Sequence, residues 1–141
     1  MLNRNPKILI VDDQPAIALT LATILEGQAY ETAVARSGEE AIQVAYSYEP
    51  DFILSDVMMD GISGIEAVIR ILKFQPHCKV LFFSGHAPCQ DLLGEARAQG
   101  FNFEILAKPV APKELLERIG RLLSQPERCN ARRKSDLDGK R

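Results

Sequence analysis

The chain has 141 residues, 46% of them hydrophobic and 26% charged, with a formal net charge of -2. That length fits one domain with a full core, and the composition is that of an ordinary globular protein. No apolar stretch approaches the length needed to cross a bilayer, and the three cysteines, Cys78, Cys89 and Cys129, show no spacing for a zinc site or a disulfide framework.

The charge is unevenly spread. Residues 126–141 carry net +3, and the remaining 125 carry net -5. Met1-Leu2-Asn3-Arg4-Asn5-Pro6 has no apolar signal core. With reduced cysteines, this predicts a cytoplasmic protein.

Short apolar runs alternate with helical patterns five times. Ile8–Val11 reads as the first strand. Ile17, Leu21, Ile24 and Leu25 follow at helical spacing, and Gly27 sits where that helix would stop. Tyr30–Ala35 is the second strand. Ser37 and Glu40 then form a capping box that opens a helix through about Tyr48. Phe52–Ser55 is the third strand. A second capping box, Ser63 with Glu66, precedes the apolar face Ile65, Val68, Ile69 and Leu72. Lys79–Phe83 is the fourth strand, and a weaker helix falls within Cys89–Gln99, ended by Gly100. Phe103–Ala107 is the fifth strand. Pro112 suits a first helical turn, and Leu115, Leu116, Ile119, Leu122 and Leu123 complete the last helix. Five strands alternating with five helices predict a parallel sheet covered on both faces, and right-handed crossovers restrict it to a doubly wound α/β fold. The pattern ends near Gln125, and the polar segment 125–141, with Arg132-Arg133-Lys134-Ser135-Asp136, is expected to be a disordered tail or linker.

Charge stands where such strands should be buried. Lys7-Ile8-Leu9-Ile10-Val11 runs into Asp12-Asp13, Phe52-Ile53-Leu54-Ser55 into Asp56, and Phe103-Glu104-Ile105-Leu106-Ala107 into Lys108. Ligands in doubly wound sheets bind at the carboxyl ends of the strands. Three carboxylates gathered there repel, by roughly 4 kcal/mol per pair at 4 Å and an effective dielectric of 20, so they raise one another's pKa or recruit a cation. A hard, oxygen-seeking ion such as Mg2+ fits. Three carboxylates, one divalent ion and Lys108 sum to zero charge, and the ion and the lysine could both neutralise a phosphoryl group. Asp56, on the middle strand, is the candidate nucleophile that forms an acyl phosphate. Ser84 can donate to a phosphoryl oxygen, and Gly85 leaves room for one.

These pieces together resemble the receiver domain of two-component response regulators, of the chemotaxis-regulator-like kind. The matching residues are Val11-Asp12-Asp13, Asp51–Met59 around Asp56, Gly64, Ser84-Gly85 and Lys108-Pro109, and the resemblance covers residues 6–124. It implies a flavodoxin-like, doubly wound five-stranded parallel sheet of order 2-1-3-4-5 flanked by five helices. It also implies that Asp56 accepts phosphate from a histidine kinase or histidine phosphotransfer protein. Asp12, Asp13, Asp56 and the main-chain carbonyl of Met58 would then hold Mg2+. Ser84 and Lys108 would engage the phosphoryl group, and the bond before Pro109 would be cis.

The signal would pass through the face of the fourth helix, fifth strand and fifth helix to a downstream protein target, an output domain or a phosphorylation-dependent dimer. No membrane contact is implied, and no direct nucleic-acid binding by the receiver domain. The chain is then a signalling switch rather than an enzyme. Met58 stands where aspartate-nucleophile phosphatases place their second acid, two residues after the nucleophile, which argues against turnover of an external substrate.

Two positions depart from the family pattern. Asp60 replaces a common proline and reads as a solvated turn residue. Ile105 stands where the family often has an aromatic side chain that rotates inward on activation. These departures lend support to the alternative of a phosphorylation-independent protein-binding module, and the intact acid–lysine set argues against it. Asp13 is also expected to cap the first helix in part. His77 reads as a surface residue. His86 reads as a loop residue, with a place beside the phosphoryl group as the sharper alternative. Cys78 and Cys89 read as packing residues.

Overall fold

A computed structural model describes residues 5–85, 90–101, 103–108 and 111–125. His86, Cys89, Pro109, Cys129 and segment 126–141 lie outside the described residues. Five strands alternate with five helices in the order β1 (Lys7–Val11), α1 (Pro15–Glu26), β2 (Glu31–Ala35), α2 (Gly38–Tyr48), β3 (Phe52–Asp56), α3 (Gly64–Leu72), β4 (Lys79–Ser84), α4 (Gln90–Ala98), β5 (Ile105–Ala107) and α5 (Pro112–Ser124). All strand pairs are parallel, and the sheet order is β2-β1-β3-β4-β5, as the resemblance implied.

Side chains alternate across a strand, and this divides the core in two. Ile8, Ile10, Phe52, Leu54, Leu81, Phe83 and Leu106 pack under α1 and α5. Leu9, Val11, Ile53, Val80 and Phe82 pack under α2, α3 and Ala96 of α4. The central strands are buried on both faces, which is why they read as unbroken apolar runs.

Both capping boxes form their first half. Ser37 Oγ accepts from Glu40 N and Ser63 Oγ accepts from Glu66 N, each at 3.0 Å. Neither reciprocal bond goes to the capping serine. Glu40 Oε1 accepts instead from Arg36 N at 2.8 Å, and Glu66 pairs with Arg70 one turn later.

α1 stops at Gly27 as expected, with that residue right-handed and the positive φ of the turn on Ala29 at 68°. Two local expectations change. α1 has no side-chain cap, so Asp13 does not serve as one. β5 begins at Ile105 rather than Phe103.

Gly64 is where the fold tolerates least change. Its N–H donates to Val57 O at 2.8 Å, closing the loop after β3. A Cβ there would collide with the Asp56 carbonyl oxygen and fall 2.7 Å from Ser55 Oγ. Neither obstacle can swing away, because one is strand backbone and the other is a buried hydroxyl donating to Asp56 O at 2.8 Å. Gly64→Ala is therefore expected to cost about 3 kcal/mol or more, read as a fall in urea midpoint with an unchanged m-value.

Candidate functional site

The apolar stripe under α1 and α5 continues into charge. Asp12 stands two residues past Ile10, Asp56 two past Leu54, and Lys108 two past Leu106, so alternation puts all three on one face. The strand ladders carry them there. Asp12 N donates to Ala35 O at 3.0 Å, Asp56 closes β3 opposite Phe83, and Lys108 N donates to Ser84 O at 2.9 Å.

Lys108 Nζ lies 3.1 Å from Asp56 Oδ2 and 3.9 Å from Asp12 Oδ2. Asp56 Oδ1 accepts from Met58 N at 3.3 Å, and Asp12 Oδ1 from Gln14 N at 2.9 Å. Asp12 Oδ2 is buried with no hydrogen-bond partner. Asp13 is exposed, yet one carboxylate oxygen from each of Asp12, Asp13 and Asp56 lies within 4.8 Å of the others. Burial is the main cause that pushes the Asp12 carboxyl above its ordinary value. The Asp56 and Asp13 charges push the same way, and the Gln14 N–H and Lys108 oppose them.

Such a set fits a divalent cation. An orphaned buried carboxylate oxygen beside two further carboxylates is a donor set with room for a hard ion.

The loop after Asp56 is held from α2. Glu39 Oε2 accepts from Ile62 N at 3.4 Å. Gly61, at φ 81°, lies so close to that carboxylate that a Cβ would come 2.9 Å from Oε2. Gly38 makes room for Ile62, since a Cβ there would fall 2.5 Å from its Cγ1.

The response regulator receiver domain family matches residues 8–120. The chain belongs to this family. Phosphoacceptor switching in two-component signalling is the family's role. Among curated relatives, the DNA-binding response regulator MtrA of Mycolicibacterium smegmatis is 30% identical over 121 residues, covering 86% of this chain and 52% of that protein. The transcriptional regulatory protein GlrR of Escherichia coli is 30% identical over 125 residues, covering 89% of this chain and 28% of that protein. The chain thus spans about half the length of these relatives or less.

Solved structures agree. The chemotaxis protein CheY4 of Vibrio cholerae aligns with a TM-score of 0.75 at 28% identity, over 84% of this chain and 98% of that one. The response regulator TrrA of Thermotoga maritima, in complex with Mg(2+)-BeF, aligns with a TM-score of 0.72 at 30% identity, over 83% and 98%.

In this receiver, the sequence-predicted Asp12, Asp13, Asp56 and Lys108 converge. Ser84 is buried at the end of β4, and the half-exposed Met58 touches Asp56 through its N–H. Asp60 is exposed in the bend after β3, and His77 is exposed. Cys78 is a buried thiol, outside any disulfide, whose pKa burial pushes up. Among the described residues, no helix is long and apolar enough to cross a membrane. Two contributors had no sequence signal: Glu39, which holds the loop, and Phe83, whose ring centroid lies 4.9 Å from Lys108 Nζ.

The raised pKa of Asp12 gives a pH dependence. Below the ordinary 3.8 the carboxyl is neutral in both folded and unfolded chains. Above it the unfolded chain ionises first, so Asp12 lowers stability progressively as pH rises through its folded-state value. Without divalent ions, Asp12→Asn is expected to raise the urea midpoint at pH 7, and the gain should vanish below about pH 4.

Proposed function

We propose that Asp56 is the phosphoacceptor of this receiver, taking a phosphoryl group from a histidine kinase or histidine phosphotransfer protein with Mg2+ bound by Asp12, Asp13, Asp56 and the Met58 carbonyl. One observation carries the reading. A single ammonium, on Lys108, reaches Asp56 at 3.1 Å and Asp12 at 3.9 Å, while Asp12 Oδ2 stays buried without a hydrogen bond. One lysine leaves three carboxylates under-neutralised, and this shortage of positive charge is what a divalent ion would relieve.

An Asp56 carboxylate oxygen attacks phosphorus, a P–O bond forms, and the P–N bond to the donor imidazole breaks with the electron pair leaving on nitrogen. The bound ion would shield the charge of the transferring group. Lys108 holds the acceptor oxygen and then a phosphoryl oxygen, and Ser84 donates to another. With three oxygens to satisfy, the modified site draws Ser84 and Lys108 together. That rearrangement biases the face of α4, β5 and α5 toward an output domain, a separate protein target or a second phosphorylated copy. We take residues 6–124 as the receiver unit, acting in the cytoplasm as a switch rather than on an external substrate.

The test is intact mass after incubation with Mg2+ and a small acyl phosphate. The wild type should gain one phosphoryl group, and Asp56→Asn should gain none. No gain on the wild type would favour a phosphorylation-independent binding module, and a gain on both would mean that another residue is the acceptor. At a hundredfold excess over its Kd, Mg2+ alone should stabilise the wild type by about 2.7 kcal/mol, and it should stabilise Asp12→Asn far less.

A further inference from the structure

Lys108 follows β5, and Asp56 ends β3, with β4 between them. Neighbouring strands lie about 4.8 Å apart, so the lysine must reach Asp56 across the end of β4. The residue at that crossing is Phe83, which stands opposite both Asp56 and Leu106 in the sheet register.

Phe83 is 1% exposed, and its ring centroid lies 4.9 Å from Lys108 Nζ. An ammonium within about 6 Å of a ring centroid is attracted by the ring quadrupole, and more strongly when both are shielded from water. The Lys108 side chain is only 20% exposed. β4 also holds the other end of this residue, through Ser84 O and Lys108 N. Gly85 runs alongside the lysine's methylenes, where a Cβ would make ordinary contact with Lys108 Cδ at 3.6 Å.

We propose that Phe83 is a positioning residue for Lys108. Its ring holds the ammonium in the line of Asp56, and so sets the rate at which Asp56 accepts a phosphoryl group, an inference that rests on the function proposed above. A lysine attracted only by carboxylates would follow whichever is more negative, or turn to solvent. The ring adds an attraction fixed to the sheet, independent of the ionisation of Asp12 and of any ion bound there. The geometry of the lysine is thereby set before the donor arrives, which is the condition for an electrostatic group to act without reorganising.

A leucine in place of Phe83 would cover the lysine's methylenes but offer no quadrupole, so packing and cation–π attraction are separable. The experiment places difluoro- and pentafluorophenylalanine site-specifically at position 83 of the full chain, with Phe83→Leu alongside. Fluorination keeps the ring's shape and weakens, then reverses, its negative face. Urea unfolding verifies that each variant folds. Two readouts follow: the rate of phosphoryl gain on Asp56 against acyl phosphate concentration, and the ring-current shift of the Lys108 ε-methylene protons.

The saturated rate should fall stepwise with fluorination, by about three- to tenfold at the pentafluoro ring, while the half-saturating donor concentration stays constant. The methylene signals should move toward their unstacked positions in parallel. Equal rates for all three rings would overturn the proposal, as would slowing in Phe83→Leu alone, which would make Phe83 packing and nothing more. If the wild type gains no phosphate, the functional reading fails by itself. Unmoved methylene signals would then overturn the positioning as well, whereas shifted ones would sustain it.

Discussion

One ion pair across a strand, Lys108 to Asp56 at 3.1 Å, is what lets charge exist at the buried edge of this sheet. Alternation along β1, β3 and β5 calls for a further core residue beyond Ile10, Leu54 and Leu106, and the chain supplies two acids and a base. Removing a carboxylate from water costs several kcal/mol unless a partner and hydrogen bonds compensate. Asp56 has both, in Lys108 and the Met58 N–H. Asp12 has half: its Oδ1 is satisfied by Gln14 N, while its Oδ2 depends on a lysine 3.9 Å away that lies closer to its neighbour. A protein selected for stability alone would place leucine there. An acid there breaks a local rule of packing, as functional positions characteristically do while their surroundings compensate.

The compensation is visible in the backbone around Asp56. Gly64 N–H pins Val57 O, and Ser55 Oγ donates to Asp56 O. Glu39 holds Ile62 N from the start of α2. The loop after Asp56 is thus fastened at its far end by α3 and from the side by α2. Fixed dipoles and anchored turns are how a site keeps its geometry when its own charges repel.

Much of this could be read from the residues in order. Strand ends carrying Asp12 and Asp56 were legible because each run is buried on both faces and stops at a charge, and Lys108 because it follows the short apolar run Ile105-Leu106-Ala107. Ser37 and Ser63 were legible as helix starts because capping is local chemistry. What was not legible is tertiary. Asp13 looks like a cap, yet α1 opens with Asp12 Oδ1 turned onto Gln14 N. Gly27 marks where α1 stops, but nothing in the residues shows that the left-handed conformation of the turn falls on Ala29. The ring under Lys108 has no sequence signal, since Phe83 reads as one more apolar residue of a buried strand and only the register with Asp56 gives it a second role.

Register also explains what stands beside Ile105. The side chain is half-buried and packs, with Phe103, against the core under α2, α3 and α4. Phe103 stacks on Phe101 at 5.5 Å and meets Phe82 edge-on at 5.0 Å. Aromatic bulk is therefore present on this side of the sheet, but it lies before β5 rather than within it. β4 is the strand it leans on. Phe82 takes that stack on one face, while Phe83 takes the lysine on the other. A strand filled by rings on both faces has little freedom to shift, because interdigitated cores resist continuous deformation. On the function proposed above, a rearrangement would begin beyond Phe83, in Ser84 and Lys108, the first residues past the rings.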